Sequence, residues 1–113
     1  MAKDCLFCKI IAGEIPSDKL YEDDDVFAFR DIAPQAPMHI LIIPKQHLHG
    51  PEAVMEEHER VIGKLMRKAD YIAKKEGLSH YRLVCNNGAD AGQTVFHLHM
   101  HIIGGRPLSW PPG

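Results

Sequence analysis

The sequence predicts an α+β fold: an antiparallel sheet with one long helix laid on one face. Three observations predict it. Residues 52–76 carry an apolar stripe at helical spacing; short β-prone runs broken by Pro, Gly and Asp flank that segment; and residues 95–103 alternate with a period of two. The 113 residues suit one domain, 1–113, with no linker, repeat or low-complexity tract.

Leu6, Phe7, Ile10 and Ile11 recur at helical spacing, so residues 5–12 read as a short amphipathic helix stopped near Gly13 and Pro16. Lys19–Glu22 and Val26–Phe29 read as strands joined by a turn at Asp23-Asp24-Asp25. Two prolines make Ala33–Pro37 a loop, and Met38–Ile43 is a strand ending at Pro44. In the long helix, Val61, Ile62, Leu65, Met66, Ala69, Ile72 and Ala73 form the stripe. Arg60, Lys64, Arg67, Lys68 and Lys75 lie mostly off it, and Gly77 is the stop. Tyr81–Cys85 is a fourth strand, Asn86–Gln93 a loop, Val95–Ile103 a fifth strand, and residues 104–113 an irregular tail.

Composition narrows the function classes. A hydrophobic fraction of 45% and a charged fraction of 25% are those of an ordinary globular protein. A net charge of -2 argues against nonspecific nucleic-acid or membrane binding. No apolar run is long enough to span a bilayer, and Met1-Ala2-Lys3-Asp4 leads into no secretory segment, so a cytoplasmic setting is expected. Dimerisation is expected to supplement so small a core. Three cysteines make no disulfide framework; Cys5 and Cys8 read as a metal half-site, a redox pair or two ordinary thiols, and Cys85 as a buried, inert one. Eight histidines is the one unusual count.

Three of them fall in Val95-Phe-His-Leu-His-Met-His-Ile-Ile103. Side chains on a strand alternate, so His97, His99 and His101 share one face while Leu98, Met100 and Ile102 enter the core. Solvation alone does not require imidazole three times. A zinc site on all three is disfavoured, because the outer two would sit roughly 13 Å apart at a strand's rise, against zinc–nitrogen bonds of about 2 Å. A row of imidazoles along an extended substrate fits better. A neutral ring nitrogen can attack phosphorus and leave again, and His99, flanked on both sides, is the candidate nucleophile. Gly88 and Gly92, with Gln93 and Thr94 following, look like a phosphate cradle placed just before the histidines.

His97-Leu-His-Met-His-Ile-Ile103 resembles the alternating histidine signature of the histidine triad family. Phe7–Ile11, Glu14-Ile-Pro16, Phe29–Ile32, Pro34–Pro37, His39, Ile43-Pro-Lys45, Gly92-Gln93 and the tail Gly104-Gly-Arg106 with Trp110–Gly113 are similar to its Hint branch. The resemblance implies a five-stranded antiparallel sheet with one long and one short helix, pairing as a homodimer into a continuous ten-stranded sheet. It implies a purine nucleoside phosphoramidase that cleaves the P–N bond of AMP–amine conjugates through a nucleotidyl-histidine, with no cofactor required for the chemistry. By the same resemblance His99 is the nucleophile, and His97 and His101 support the phosphate and orient it. His39 joins the proton network. Asn86, Gln93 and Thr94 contact phosphate or leaving group, Asp31 holds the ribose hydroxyls, and Leu6, Phe7, Ile10, Ile15, Phe29 and Ile32 form the base pocket. Trp110 is expected near the partner subunit's site. Some relatives bind a structural zinc through a pair like Cys5 and Cys8; His47 and His97 would complete a Cys2His2 set. His49, His58 and His80 read as surface residues. Two other functions stay open: hydrolysis of dinucleoside polyphosphates, and a nucleotide- or zinc-binding regulatory module without turnover.

Overall fold

Two adjacent strands are apolar without alternation, and the structure covers both of their faces. The structure, a computed structural model, describes residues 4–113. Met1, Ala2 and Lys3, part of the expectation of no secretory segment, lie outside the described residues. The two strands are β2 (Val26–Arg30) and β3 (Met38–Pro44). With β1 (Lys19–Glu22), β4 (Tyr81–Val84) and β5 (Met100–Gly104) they make a five-stranded sheet in the order β1-β2-β3-β5-β4, each neighbouring pair antiparallel. The expected α+β plan holds.

One face is covered by α2 (Glu59–Lys75), whose Leu65, Ala69, Ile72 and Ala73 pack on Val26, Ala28, Ile40, Ile42, Leu98, Met100 and Ile102. The other is covered by the six-residue α1 (Leu6–Ile11), whose Phe7, Cys8 and Ile10 meet Phe27, Phe29, Leu41 and Ile43. Alternation along β2 and β3 thus feeds two apolar layers, which is why neither strand shows a polar side. Met66, assigned to the apolar stripe, is on its outer flank and 55% exposed.

Two boundaries move by several residues and one burial reverses, each for a local reason. The long helix starts at Glu59, not residue 52, because Pro51–Ala53 and Glu56–His58 are separate 3-10 turns around an extended Met55. His58 sets that start: Nδ1 accepts the Met55 N–H at 2.9 Å, while the His58 N–H bonds back to the Met55 carbonyl at 2.9 Å. The fifth strand begins at Met100, not Val95: its ladder with β3 begins at Ile42↔Met100, and Pro44, which the register sets opposite Leu98, has no N–H to extend it. Upstream, the Leu98 N–H bonds the Leu48 carbonyl of the following loop instead. Cys85, expected to be buried, is exposed, because it lies one residue past the last paired position of the edge strand β4.

The acidic turn is ordered as expected. Asp23 Oδ1 accepts the N–H groups of Asp25 and Val26 at 2.8 and 3.0 Å, and Asp25 ties the turn to α2 through Arg60 and Lys64. Among the described residues, no helix is long and apolar enough to cross a membrane.

Candidate active site

α1 is short, and beside it the sheet is left open. A cavity of about 340 Å³ lies there, lined on its apolar side by Leu6, Phe7, Ile10, Ile15, Phe29, Leu41, Val95 and the fully exposed Ile32. Asp31, Ser17, Thr94, His99 and His101 supply polar groups. Phe7 is the floor between layers, its ring 5.4 Å from that of Phe29 and 5.1 Å from that of His99, both edge-on.

The chain itself selects which nitrogen of His99 is free. Nδ1 lies 2.7 Å from the His97 carbonyl, so that nitrogen carries the proton and donates it, leaving Nε2 with a bare lone pair. Burial lowers the pKa of His99, against the His97 carbonyl and Asp31, which raise it; the neutral ring is favoured. A second selection runs through His39. Its Nδ1 accepts the Gln35 N–H at 3.0 Å, so its own proton is on Nε2, which faces Nδ1 of His101 at 2.8 Å. The neutral His101 then carries its proton on Nε2. Burial, helped by His99 and His39, pushes the His101 pKa down to about 4, with Asp31 pulling the other way. The result is an unprotonated nitrogen and an N–H on neighbouring rings whose centroids lie 5.0 Å apart.

His97 is elsewhere. It does not line the cavity, although sequence reasoning set it in one row with His99 and His101. The ring is fully buried, and its Nε2–H donates to the Pro44 carbonyl at 2.8 Å, leaving Nδ1 bare. That atom faces Cys5 Sγ at 3.3 Å, Cys8 Sγ at 3.6 Å and His47 Nδ1 at 3.2 Å, with Cys8 Sγ 3.4 Å from His47 Nδ1. A tetrahedral zinc with two sulfur and two nitrogen ligands needs edges of roughly 3.3–3.8 Å. Donor chemistry and spacing therefore fit zinc, and Cys5, Cys8, His47 and His97 would hold it. Asp31, His39 and His101 also cluster, but the 2.8 Å separation of the two histidine nitrogens is that of a hydrogen bond.

The loop at 86–93 does not form the expected phosphate cradle. The N–H groups of Gly88, Ala91, Gly92 and Gln93 are all donated within the loop, which Gly88 and Gly92 close at φ of 92° and 100°. Gln93 is 2% exposed and lines no part of the cavity; its amide accepts from Gly88 N–H and donates to the carbonyls of His49 and Val95. Asn86 lines a separate shallow depression that shares His39 and His101, and Thr94 alone of the three expected phosphate contacts reaches the main cavity. Pro16, Ser17, Arg30, Leu41 and Val95 also line the cavity, and none of them is among the expected site residues. Leu41 was findable: it is Cα partner of Phe29 across the β2–β3 ladder, so it shares that face of the sheet. Nothing in the sequence marks Ser17.

The HIT domain family matches residues 12–108. This chain belongs to the HIT (histidine triad) family. Its resemblance is to the Hint branch, with relatives spanning nearly all of the chain. A purine nucleoside phosphoramidase of Escherichia coli is 51% identical over 110 residues, covering 96% of this chain and 92% of that protein. A 14 kDa zinc-binding protein of Brassica juncea is 50% identical over 113 residues, covering 97% and 100%. Among solved structures, a HIT family hydrolase from Legionella pneumophila superposes with a TM-score of 0.95 at 47% identity, covering 97% of this chain and 100% of that one. The HIT fold thus accounts for the sheet order and for the single long helix, and the family assignment covers every strand of it.

Proposed function

We propose that this chain hydrolyses purine nucleoside 5′-phosphoramidates, AMP–amine conjugates among them, through a covalent nucleotidyl-His99. One observation carries the reading: the 2.7 Å bond from His99 Nδ1 to the His97 carbonyl, which leaves Nε2 unprotonated on a ring that lines the cavity. Nε2 attacks the α-phosphorus; the P–N bond breaks, and the departing nitrogen takes the proton of His101 Nε2 while His101 Nδ1 takes the His39 proton and His39 is reprotonated from solvent, so that no imidazolate is left. Water then attacks the same phosphorus, its hydroxide stays on the phosphate, its proton returns to His101, and the P–Nε2 bond opens to release AMP. The apolar slot around Phe7, Phe29 and Ile32 takes the purine ring, and Asp31 takes the ribose hydroxyls.

The name of the Escherichia coli relative supports the P–N bond as the one cleaved, and that of the Brassica relative supports zinc at Cys5, Cys8, His47 and His97. Zinc there would cross-link α1 to the chain before β5 and take no part in the chemistry. Two copies would pair through the outer edge of β4, where the sheet ends, and bring the 81%-exposed Trp110 toward the partner. The three cysteines form no disulfide among the described residues, which suits a reducing, cytoplasmic setting.

The test is a steady-state comparison of nucleoside phosphoramidates with diadenosine polyphosphates, with metal content measured on the same sample. The phosphoramidates are expected to turn over faster. Acid quench followed by mass spectrometry should capture one nucleotidyl group on the native chain and none on His99→Ala. Full turnover by that variant would refute the mechanism; faster cleavage of polyphosphates would move the assignment to that class.

A further inference from the structure

Asp31 stands where the cavity meets the histidine relay. Its side chain lines the cavity together with His99 and His101, whereas His39 does not. Oδ1 accepts the Ala33 N–H at 2.8 Å, which fixes the carboxylate's orientation in the loop. Oδ2 lies 3.4 Å from Nε2 of His39. That nitrogen carries the one proton of a neutral His39, since Nδ1 is taken by the Gln35 N–H. A single N–H therefore faces two acceptors, His101 Nδ1 at 2.8 Å and the carboxylate at 3.4 Å. Only the first is within ordinary hydrogen-bond length, but the second is charged, and charged acceptors attract an N–H roughly twice as strongly.

The tautomer of His101 depends on how that contest ends. While His39 donates to its Nδ1, His101 keeps its proton on Nε2, where a leaving group can take it. Whenever the His39 N–H swings toward Asp31, Nδ1 of His101 loses its donor and the ring is free to carry its proton on the wrong nitrogen. A hydroxyl donated to Asp31 from the cavity side would occupy carboxylate lone pairs and weaken that pull.

We propose that Asp31 is a positioning residue that couples sugar recognition to proton delivery: ribose hydroxyls bound to its carboxylate commit the His39 N–H to His101, and so hold the His101 proton on Nε2. This rests on the nucleotide reading above and goes beyond it, because a carboxylate that only bound ribose would alter affinity and leave the chemical step alone. Sugar hydroxyls act here on the bond-breaking step, through two histidines that the sugar does not touch.

The experiment measures single-turnover rates at saturating enzyme for a ribonucleoside phosphoramidate and its 2′,3′-dideoxy analogue, in the native chain and in Asp31→Asn. In the native chain, removing the hydroxyls is expected to weaken binding and also to slow the saturated rate by about fivefold or more, a modest part of what general acid catalysis supplies. In Asp31→Asn the two substrates should react at equal saturated rates. A native chain whose saturated rate ignores the hydroxyls overturns the proposal. A second measurement needs neither turnover nor a variant: imidazole ¹⁵N shifts of the native chain titrated with AMP and with 2′,3′-dideoxy-AMP. Signals of His39 and His101 should move toward a single tautomer with AMP only; identical movement with both ligands overturns the coupling. Binding of AMP without turnover of any phosphoramidate would sink the enzymatic reading and the effect on rate with it, the ¹⁵N shifts still deciding the tautomer coupling, and failure to bind either nucleotide would sink both.

Discussion

Replacing Gln93 by alanine separates two roles that a polar residue beside an active site can have. As a phosphate contact, Gln93 would be needed for turnover and hardly at all for folding. The structure gives it the opposite character: 2% exposed, with Oε1 accepting the Gly88 N–H at 2.8 Å and Nε2 donating to the His49 and Val95 carbonyls at 2.8 and 3.2 Å. The backbone approaches so closely that a Cβ on Gly50 would lie 3.2 Å from Gln93 Oε1. Alanine there strands one donor and two acceptors away from water. At a net of about 1 kcal/mol for each lost bond, Gln93→Ala should cost about 3 kcal/mol, or a fall of about 12 °C in Tm for a domain of this size. Gln93→Glu should be worse than alanine, since it keeps one acceptor but turns a carboxylate oxygen toward two carbonyls. Urea and thermal denaturation of both variants, with saturated rates measured well below their Tm, provide the assay. An unchanged Tm together with a large loss in rate would refute the reasoning and return Gln93 to the phosphate.

Acid is expected to unfold the chain through its histidines. His101 titrates near pH 4 in the folded state and near its ordinary 6.5 once unfolded, and burial lowers His39 as well. Between those values the unfolded state binds more protons, so stability falls as pH drops from 6.5 toward 4. Urea midpoints at pH 7, 6 and 5 should decline steadily, and His101→Gln should flatten the decline; a midpoint constant over that range would contradict it. Stripping metal with a strong chelator should lower the Tm, and one equivalent of zinc should restore it, by about 2.7 kcal/mol when free zinc is a hundred times its Kd. Cys8→Ser should abolish the restoration, and a chain that melts identically with and without chelator would argue against a metal at that cluster.

What could be read in advance was whatever depends on periodicity. The stripe in α2, the two-residue alternation of Leu98, Met100 and Ile102 and the stop at Gly77 are local patterns, and each appears where expected. Boundaries that depend on a neighbour were not legible. The start of β5 depends on Pro44 of the adjoining strand, which has no N–H to extend the ladder, and the start of α2 on a His58 ring folding back on Met55. At the site, the apolar slot was legible because its residues cluster around α1 and β2. The fate of individual polar groups was not. Whether Gln93 meets a substrate or the carbonyl of His49 depends on two chain segments 44 residues apart being brought together by folding. His97 is the counter-example: its partners Cys5, Cys8 and His47 come from the start of α1 and the loop after β3, yet they are the set the family resemblance implied.

The unequal lengths of the two helices have a consequence for ligand size. α2 runs for 17 residues over one side of the sheet, whereas α1 offers six on the other. The hollow is therefore not excavated from packed interior; it lies on the sheet face beside α1, between that helix and Phe29, Leu41, His99 and His101. A bound purine would fill that space, stacked on its aromatic rings. Extending or trimming α1 by a turn is then the natural way for a chain of this architecture to resize its guest without disturbing a single strand.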